Sequence, residues 1–396
     1  MTKNYRPTLR MKNAIALFAL LGMAGGAHAG GYDTGERDWD ALFNPERFSV
    51  GVQTRYIAPQ RQLTNVANTT NPGFSLSVNE TEAFAVNRVD VSGRLGDYAR
   101  CLASFRQPFE GHANYGSTWA GSASAIEQHF SSRDYGVTCA ATMKLAKGQL
   151  SFLAGLSYQD LEYELTSNAG PGGIRRTLVK DNGLGWRAGV AFEIPDYALR
   201  ASLIYNSQID YDMTGNVSLS NLPGSLPIFG SLSMPQSVEL KAQSGIAPKW
   251  LAFGSIKWTD WSVTSNMPLC AVGTPSCVQA AAVSGLTLLW EDTWTVTLGA
   301  ARQFSDQFSV AGSLTYDQGA SAGFTSQTDT WVMGLDGIYS PAENFQMKFG
   351  GTVGVLTSGT VSTAVLPQNI PNPVGYTASF GNDLVYSISA SAKLRF

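Results

Sequence analysis

Apolar and polar residues alternate with a period of two along much of this chain, and this pattern limits the folds open to it. A period of two is typical of β-strands with one apolar and one polar face. Such strands build either a soluble β-sandwich or a closed barrel in a membrane. The clearest runs are residues 197–205, 294–300, 345–355 and 386–396.

The connections between the runs alternate between short and long. Short turns are predicted at Gly96-Asp97, 146–148, Pro195-Asp196, Ala247-Pro248, Ser305-Asp306 and 340–344. Longer loops are predicted near 60–80, 109–130, 167–182, 213–232, 264–287, 321–327 and 359–382. Six turns and seven loops imply fourteen strands, and outer-membrane barrels combine an even strand number with short turns on one side. We therefore expect an all-β, 14-stranded antiparallel transmembrane β-barrel.

Composition favours this barrel over a helical membrane protein. Charged residues make up 14% of the chain, against about 25% in typical soluble domains. After the N-terminus, no apolar run approaches the roughly 20 residues of a spanning helix. The net charge of −3 gives no support for nucleic-acid binding. Aromatic residues near predicted strand ends suit interfacial girdles: Tyr56, Trp186, Trp250, Trp258, Trp261, Trp290, Trp294 and Trp331.

Residues 1–29 are predicted to be an export signal. Four cations precede an apolar run over residues 14–23, and Ala27-His28-Ala29 fits a cleavage site. Met11 is an alternative start. The last strand ends on Phe396, which resembles the recognition strand of outer-membrane barrels. We expect a monomer in the outer membrane of a Gram-negative bacterium, with outer-membrane lipid and the barrel-assembly machinery as partners.

The chain has four cysteines, and an exported protein meets an oxidising compartment. Cys270 and Cys277 bracket a short turn-forming segment, which favours a local disulfide. Cys101 and Cys139 fall on neighbouring predicted strands, so a second bridge is possible, and sequence alone allows three connectivities. Metal-ligand spacing is absent from the sequence, so no metal or cofactor is expected.

Enzymatic chemistry has weak support. His112 and His129 lie in the predicted loop 109–130, near Ser117, Ser122 and Ser124. A histidine base beside a serine is the arrangement of a hydrolase, but a loop rich in glycine, serine and alanine offers no orienting scaffold. The glycine-rich residues 170–173 are predicted to be a loop tip. We expect no catalytic residue.

The segment before the first strand carries a resemblance to a known family. Asn44-Pro45-Glu46 is followed by Phe48-Ser49-Val50-Gly51 and then Tyr56. This order is similar to the FadL family of outer-membrane transporters for long-chain fatty acids and hydrocarbons. Later stretches, at 185–205, 234–262 and 294–317, also resemble that family. The likeness covers nearly the whole chain after residue 44.

The resemblance implies three regions: a signal peptide (1–29), an N-terminal plug or hatch (30–46) and the barrel (47–396). Asn44, Pro45 and Glu46 would form the hatch motif, although Glu46 replaces the family's usual alanine and the plug is short. The plain alternative for Asn44-Pro45 is a turn before a strand.

The resemblance also implies a kink in the third strand that opens the barrel wall. Pro108 and Gly111 are the candidates, because proline cannot donate a ladder hydrogen bond and is confined to edges, strand ends and bulges. The alternative is that Pro108 simply ends the strand.

A hydrophobic ligand needs apolar contacts and, for a fatty acid, a cation for its carboxylate. The apolar stretch within 213–232 is a candidate outer ligand groove, formed by Leu222, Leu226, Ile228, Phe229 and Leu232. Candidate carboxylate partners inside the barrel are Arg187, Arg200 and Lys257. Each of these cations could pair instead with a protein carboxylate such as Asp210, Asp212 or Glu239.

The predicted function is passive, plug-gated uptake of long-chain fatty acids or similar hydrophobic small molecules with lateral release. Four alternatives remain from the sequence. They are a channel for monoaromatic hydrocarbons, a general porin, a hydrolase using His112 or His129, and a structural or adhesive barrel.

Overall fold

A computed structural model describes residues 30–35, 39–67, 74–362 and 376–396. The predicted signal peptide, residues 1–29, lies outside the described residues. In these described ranges, no helix is both long and apolar enough to cross a membrane.

Fourteen antiparallel strands form one closed barrel, as the turn pattern predicts. Five of the strands are interrupted and are given as two segments each. In chain order the strands are Phe48–Pro59, Phe84–Leu95, Ala99–Arg106 with Glu110–Asn114, Glu127–Leu145, Gly148–Asn168, Ile174–Ile194, Leu199–Asn206 with Ile209–Leu219, Ser225–Met234 with Ser237–Ala247, Trp250–Thr259 with Asn266–Ala271, Ser284–Thr287 with Thr293–Gln303, Phe308–Asp317, Thr330–Ala342, Phe345–Leu356 and Asp383–Arg395.

The barrel closes between the first and the last strand. Their ladder runs from Ser49 opposite Arg395 to Pro59 opposite Val385. Closure leaves no exposed sheet edge, which a strand in lipid requires, because backbone polar groups find no water there. The described 3-10 turns are Asp40–Phe43, Gly170–Gly172, Pro195–Tyr197, Trp261–Val263 and Gln279–Ala281.

The two faces of the wall have the composition that lipid and lumen require. Large apolar side chains such as Leu156, Leu298 and Met333 are exposed on the outer face. Serine and threonine pairs such as Thr297 with Thr315 are buried and hydrogen-bonded at 2.9 Å, as polar groups out of water must be. The alternation seen in the sequence is therefore apolar outside and polar inside over much of the wall.

Two of the tryptophans predicted to lie in the interfacial girdle, Trp261 and Trp290, lie inside the protein instead. Trp186, Trp294 and Trp331 are about half exposed on the outer face, whereas Trp261 and Trp290 are buried. Trp261 and Trp290 lie where the ninth and tenth strands are interrupted, at residues 260–265 and 288–292. The chain leaves the ladder at these interruptions, so a residue near a strand end packs inside rather than against lipid.

The expected loops at 167–182 and 213–232 are largely strand. The fifth and sixth strands, of 21 residues each, join through residues 169–173, and Ile209–Leu219 pairs with Ser225–Met234. Outside the membrane a paired strand faces water, so its polar composition does not distinguish it from a loop. One side of the barrel is thus much taller than the opposite side, where the eleventh strand has 10 residues.

A separate four-stranded sheet lies on the long-loop side, above the shorter strands. It consists of Gln62–Ala67, Val78–Asn79, Gly359–Val361 and Thr377–Phe380. Its own core contains Leu63, Val66, Trp119 and Phe380. The buried Arg61 guanidinium bonds to Asp383 at 3.0 Å and lies 4.3 Å from the centroid of Phe380. We call this sheet with its core the cap.

Candidate ligand site and the N-terminal segment

A cluster of aromatic rings lies inside the barrel, in the largest apolar cluster among the described residues. Tyr32 stacks on Phe130 with ring centroids 4.4 Å apart and planes 9° apart. Trp290 meets Tyr32 edge-on at 4.9 Å and Trp261 at 5.0 Å. Phe109 completes the group at 5.8 Å from Trp261. Edge-to-face and stacked contacts at these distances add to the free energy gained by burial. We call these five residues the aromatic cluster.

Two glycines leave room for rings of this cluster, Gly111 for Tyr32 and Gly31 for Trp261. A Cβ atom at Gly111 would lie 2.5 Å from the Tyr32 ring, which is closer than real Cβ contacts come. Gly31 has φ +62°, and a Cβ there would lie 2.5 Å from the Trp261 ring. Any larger residue at Gly111 therefore competes with Tyr32 for the same space.

The third strand is interrupted at Pro108, and the N-terminal segment pairs with it there. We use this name for the described residues 30–35 and 39–46. The Thr34 N–H donates to Pro108 O at 3.0 Å, and the Glu110 N–H donates to Tyr32 O at 3.0 Å. Asp33 forms an isolated antiparallel bridge with Phe109.

The second and third strands separate beside this interruption. Their ladder extends from Leu95 opposite Ala99 to Val89 opposite Phe105. Beyond it, the Gln107 side chain covers the open edge, and its Oε1 accepts a hydrogen bond from the Asn87 N–H at 2.8 Å. Backbone groups that lose their ladder partner thus keep a hydrogen bond through a side chain.

Two of the three candidate cations hold carboxylates of the N-terminal segment. Lys257 Nζ lies 2.6 Å from Asp33 Oδ2, and both residues are buried. Arg200 Nη2 lies 2.8 Å from Asp40 Oδ1. The sequence suggested Asp210, Asp212 or Glu239 as carboxylate partners. The observed partners of these two cations differ because the segment that carries them folds back against the barrel wall.

Arg187, the third candidate, lies beside Trp39 of the same segment. Its guanidinium carbon is 4.4 Å from the Trp39 ring centroid, and that of Arg106 is 4.0 Å away. Arg187 also lies 3.6 Å from Asp134. Cations over an indole ring are attracted by its quadrupole, more strongly where water is excluded. Trp39 and Leu42 pack with inward residues of the third to seventh strands.

The predicted hatch motif lies at the short-turn end of the barrel. Asn44 is buried, donates to Ser49 Oγ at 3.1 Å and accepts from Lys393 Nζ at 3.0 Å. The Pro45 carbonyl accepts a hydrogen bond from Arg94 at 2.9 Å, and the Glu46 carbonyl accepts one from Arg100. The motif is therefore tied to the first, second, third and last strands.

The five predicted groove residues do not share one surface. Ile228 and Leu232 are buried in the apolar cluster that contains the aromatic rings. Leu222 and Leu226 are exposed, and Phe229 is half-buried. Alternation places Phe229 on the face opposite to Ile228 and Leu232. Leu222 lies in the turn between the two strand segments, and Leu226 follows it at the exposed tip of the hairpin.

His112 and His129 lie on paired strand segments rather than in the predicted loop, with ring centroids 5.1 Å apart. The His112 nitrogens lie 3.2 Å from Glu82 and 3.3 Å from Glu127. His129 Nε2 lies 2.7 Å from Glu110. These contacts connect the histidines to carboxylates on adjacent segments of the chain.

Both disulfides considered from the sequence are present. Cys101 and Cys139 face each other in the ladder of the third and fourth strands, and Cys270 is bonded to Cys277. The first bond fixes the base of the third strand, below its interruption. Sequence reasoning missed Tyr32, Asp33, Trp39 and Asp40. The only available signal was that an aromatic and acidic segment precedes the first strand.

The closed antiparallel barrel, with its apolar outer face and an apolar site inside, defines a transmembrane β-barrel of the outer-membrane class. A sequence profile for the family described as outer membrane protein transport protein (OMPP1/FadL/TodX) matches residues 133–372. The chain belongs to this family, as the residues around Asn44 and in the later strands suggested.

Individual relatives match over shorter stretches. The long-chain fatty acid transport protein of Salmonella typhi is 26% identical over 156 residues, which cover 34% of this chain and 33% of that protein. Outer membrane protein P1 of Haemophilus influenzae is 25% identical over 181 residues, covering 42% and 37%. The chain thus matches about a third of the length of these relatives.

Solved structures resemble the chain over almost its whole length. A Pseudomonas aeruginosa FadL homologue gives a TM-score of 0.76 at 14% identity, covering 94% of this chain and 96% of that one. The Pseudomonas putida toluene transporter TodX gives 0.64 at 14% identity, covering 95% and 99%. These likenesses show a common fold.

Proposed function

We propose that this protein takes up long-chain fatty acids or similar hydrophobic small molecules across the outer membrane. Uptake occurs by passive diffusion, and the N-terminal segment acts as the plug. The protein works as a monomer in outer-membrane lipid and reaches that membrane through the barrel-assembly machinery. The resemblance to long-chain fatty acid transport proteins supports this substrate class.

The observation that carries the proposal is the position of Tyr32 in the aromatic cluster. A side chain of the N-terminal segment occupies an apolar site inside the barrel. Burial of an alkyl chain gains about 0.8 kcal/mol per CH₂, so the same site can take a ligand from dilute solution. A ligand that displaces Tyr32 also displaces Asp33 and Thr34, which are hydrogen-bonded to Lys257 and the third strand. Ligand binding and plug movement are therefore coupled.

Of the three candidate carboxylate partners, Lys257 contacts the residue of the N-terminal segment that lies nearest to Tyr32. Its ammonium group holds Asp33, the residue next to Tyr32. A fatty acid carboxylate can replace the Asp33 carboxylate without leaving a buried cation unpaired, which would be costly. Arg200 and Arg187 hold the plug further along, at Asp40 and Trp39.

The interruption at Pro108 is the proposed side opening. Here one edge of the third strand is paired with the plug and not with the second strand, while its other edge is paired with the fourth strand. Plug movement therefore frees that one edge of the third strand. Gly111 contributes by giving Tyr32 its space. The exposed Leu222 and Leu226 at the hairpin tip are the proposed outer contacts for ligand capture, with Ile228, Phe229 and Leu232 below them.

Uptake of radiolabelled oleate tests the proposal in cells that lack their own transporter. We expect the wild-type protein to raise uptake and Pro108→Ala to lower it at equal membrane levels. Pro171→Ala, at the exposed tip between the fifth and sixth strands, is the matched control and should behave as wild type. Oleate uptake that stays at the level of empty cells, with faster entry of small polar solutes, would identify a general porin instead.

Monoaromatic hydrocarbons are the second candidate substrate. One feature of the lining supports them. The rings of Phe130 and Trp290 contact Tyr32, with Trp261 and Phe109 next in the cluster, and a ligand of the size of one ring fits the space that Tyr32 leaves. Toluene entry measured in the same cells decides between the two. A rise in toluene entry without a rise in oleate uptake assigns the smaller substrate.

A further inference from the structure

The barrel wall has a second discontinuity, between the sixth and seventh strands. Their ladder is regular from Ile194 opposite Leu199 to Arg187 opposite Asn206, and again from Lys180 opposite Thr214. Between these two stretches, residues 181–186 and 207–213 have no ladder pair with each other. Strand six keeps its pairing with strand five there, and Ile209 onward pairs with strand eight. We call this seam the slit.

Hydrogen bonds close the two ends of the slit. At one end the Ser207 N–H donates to the Trp186 carbonyl, and the Trp186 N–H donates to Ser207 Oγ, both at 2.9 Å. At the other end the Asp212 N–H donates to Asp181 Oδ2 at 2.7 Å. A side-chain oxygen thus takes part at each end, as that of Gln107 does beside the third-strand interruption.

Ile209 fills the middle of the slit. A Cβ atom at Gly183 would lie 2.4 Å from Ile209, and one at Gly185 would lie 2.8 Å from it. The two glycines therefore leave a space on the inner face that this one side chain occupies. Between them, Leu184 points outward and is 77% exposed. A rotation of Ile209 leaves the inner face of both glycines uncovered.

A cavity inside the barrel lies directly behind the slit. It is lined by Gly185, Ser207 and Ile209 from the seam, and by Pro108 and Trp39 from the third strand and the plug. Its remaining wall is polar and carries Arg106, Asp134, Gln159 and Arg187, so a ligand with a polar head group finds partners there. Ile209 is also part of the apolar cluster that contains Phe130 and Trp261. The cavity thus joins the third-strand interruption on one side to the slit on the other.

We propose that the slit is a second side portal, through which an apolar ligand passes between the cavity and the surrounding lipid, with Ile209 as its gate. The proposal rests on the proposed function as a transporter of hydrophobic molecules and adds a route to it. A ligand crossing here meets Leu184 and Trp186 on the outer face, below the exposed carboxylates of Asp210 and Asp212, and Ile209 inside. Opening requires no loss of ladder hydrogen bonds in the middle of the slit, so the wall on either side stays paired.

Photo-crosslinking on the wild-type protein is the first test. The full-length mature protein in vesicles is incubated with a palmitic acid analogue that carries a terminal diazirine, irradiated and mapped by mass spectrometry. We expect cross-links at residues 183–186 or 207–211 in addition to the aromatic cluster. Cross-links in the cluster with none in the slit would overturn the portal and leave the proposed function intact. Failure of the analogue to cross-link anywhere in the barrel would overturn both.

Ligand release provides the second test. The rate at which pyrenedecanoic acid leaves the protein for empty vesicles is compared for wild type, Ile209→Ala and Ile338→Ala. Ile338 is a matched control, because it is also buried but lies in a separate apolar cluster, on the twelfth strand, with ladder pairs on both sides. Ile209→Ala removes the side chain that blocks the slit, so release should be about threefold faster or more if this step limits release. Equal rates for the two variants would overturn the role of Ile209.

Discussion

Lys257 and Asp33 form a buried ion pair at 2.6 Å that joins the ninth strand to the N-terminal segment. Breaking a buried pair by removing one partner leaves an uncompensated charge and costs about 3–5 kcal/mol. The pair therefore fixes the N-terminal segment at the residue next to Tyr32, which lies inside the aromatic cluster.

Lys257→Met should loosen the N-terminal segment around Asp33. A loss of about 3 kcal/mol corresponds to roughly 100-fold faster opening of the segment. Hydrogen exchange of peptides covering residues 30–46, followed by mass spectrometry, measures this. Lys348→Met is the control, because Lys348 lies 3.7 Å from Asp336 and this pair joins the thirteenth and twelfth strands rather than the N-terminal segment. Asp33→Asn combined with Lys257→Met should cost less than the sum of the single changes; additive costs would show that the two residues act separately.

Tyr32→Ala should increase the affinity of the barrel for an apolar probe. The wild-type site binds a ligand only after Tyr32 has left, so removal of the ring abolishes that competition. We expect about tenfold tighter binding of pyrenedecanoic acid, read from its fluorescence. Tyr32→Phe keeps the ring and should bind like wild type. Equal affinities for the alanine and phenylalanine variants would show that Tyr32 does not occupy the ligand site.

Gly111→Val should destabilise the seating of Tyr32 and thereby the protein. A Cβ atom there would lie 2.5 Å from the ring, and overpacking of a filled site costs about 1–3 kcal/mol. Gly51→Val, where the nearest neighbour of an added Cβ is 4.0 Å away, is the control. Thermal unfolding in detergent measures both. A Gly111→Val protein with the Tm of the control would contradict the packing described for Tyr32.

The cap should weaken as the pH rises. Burial raises the pKa of Glu80 above its ordinary value of 4.5, partly offset by hydrogen bonds such as that from Tyr115 at 2.9 Å. A raised carboxyl pKa means that the folded cap binds the proton more tightly than the unfolded chain does. Its contribution to stability is then lost as the pH rises above 4.5 through the folded pKa.

Proteolysis of the cap between pH 5 and 8 checks this expectation. Glu80→Gln stays neutral and should remove most of the pH dependence, while Glu291→Gln, an exposed residue outside the cap, should leave it unchanged. Cap cleavage that slows with rising pH in the wild-type protein would contradict the sign.

Alternation and turn spacing predict the barrel well, because lipid on one side imposes apolar residues wherever a strand crosses it. The alternation pattern does not distinguish strands from loops above the membrane, where most of residues 167–182 and 213–232 form strands that face water. It also fails for Trp261 and Trp290, whose neighbours along the chain resemble those of girdle residues. The candidate ligand site is harder to predict from the sequence than the barrel. Tyr32 and Asp33 meet Phe130 and Lys257 from nearly 100 to more than 200 residues away, and no local pattern records such contacts.

The cap has a core of its own, with Trp119 and Phe380 inside it, and its described residues share no ladder with the barrel strands. Its length and sequence can therefore change without altering the register of any transmembrane strand. A foreign loop sheet or binding peptide grafted in its place would be displayed on the long-loop side of an unchanged barrel. The protein thus offers a modular scaffold whose cap can diversify, in evolution or by design, independently of the wall that carries it.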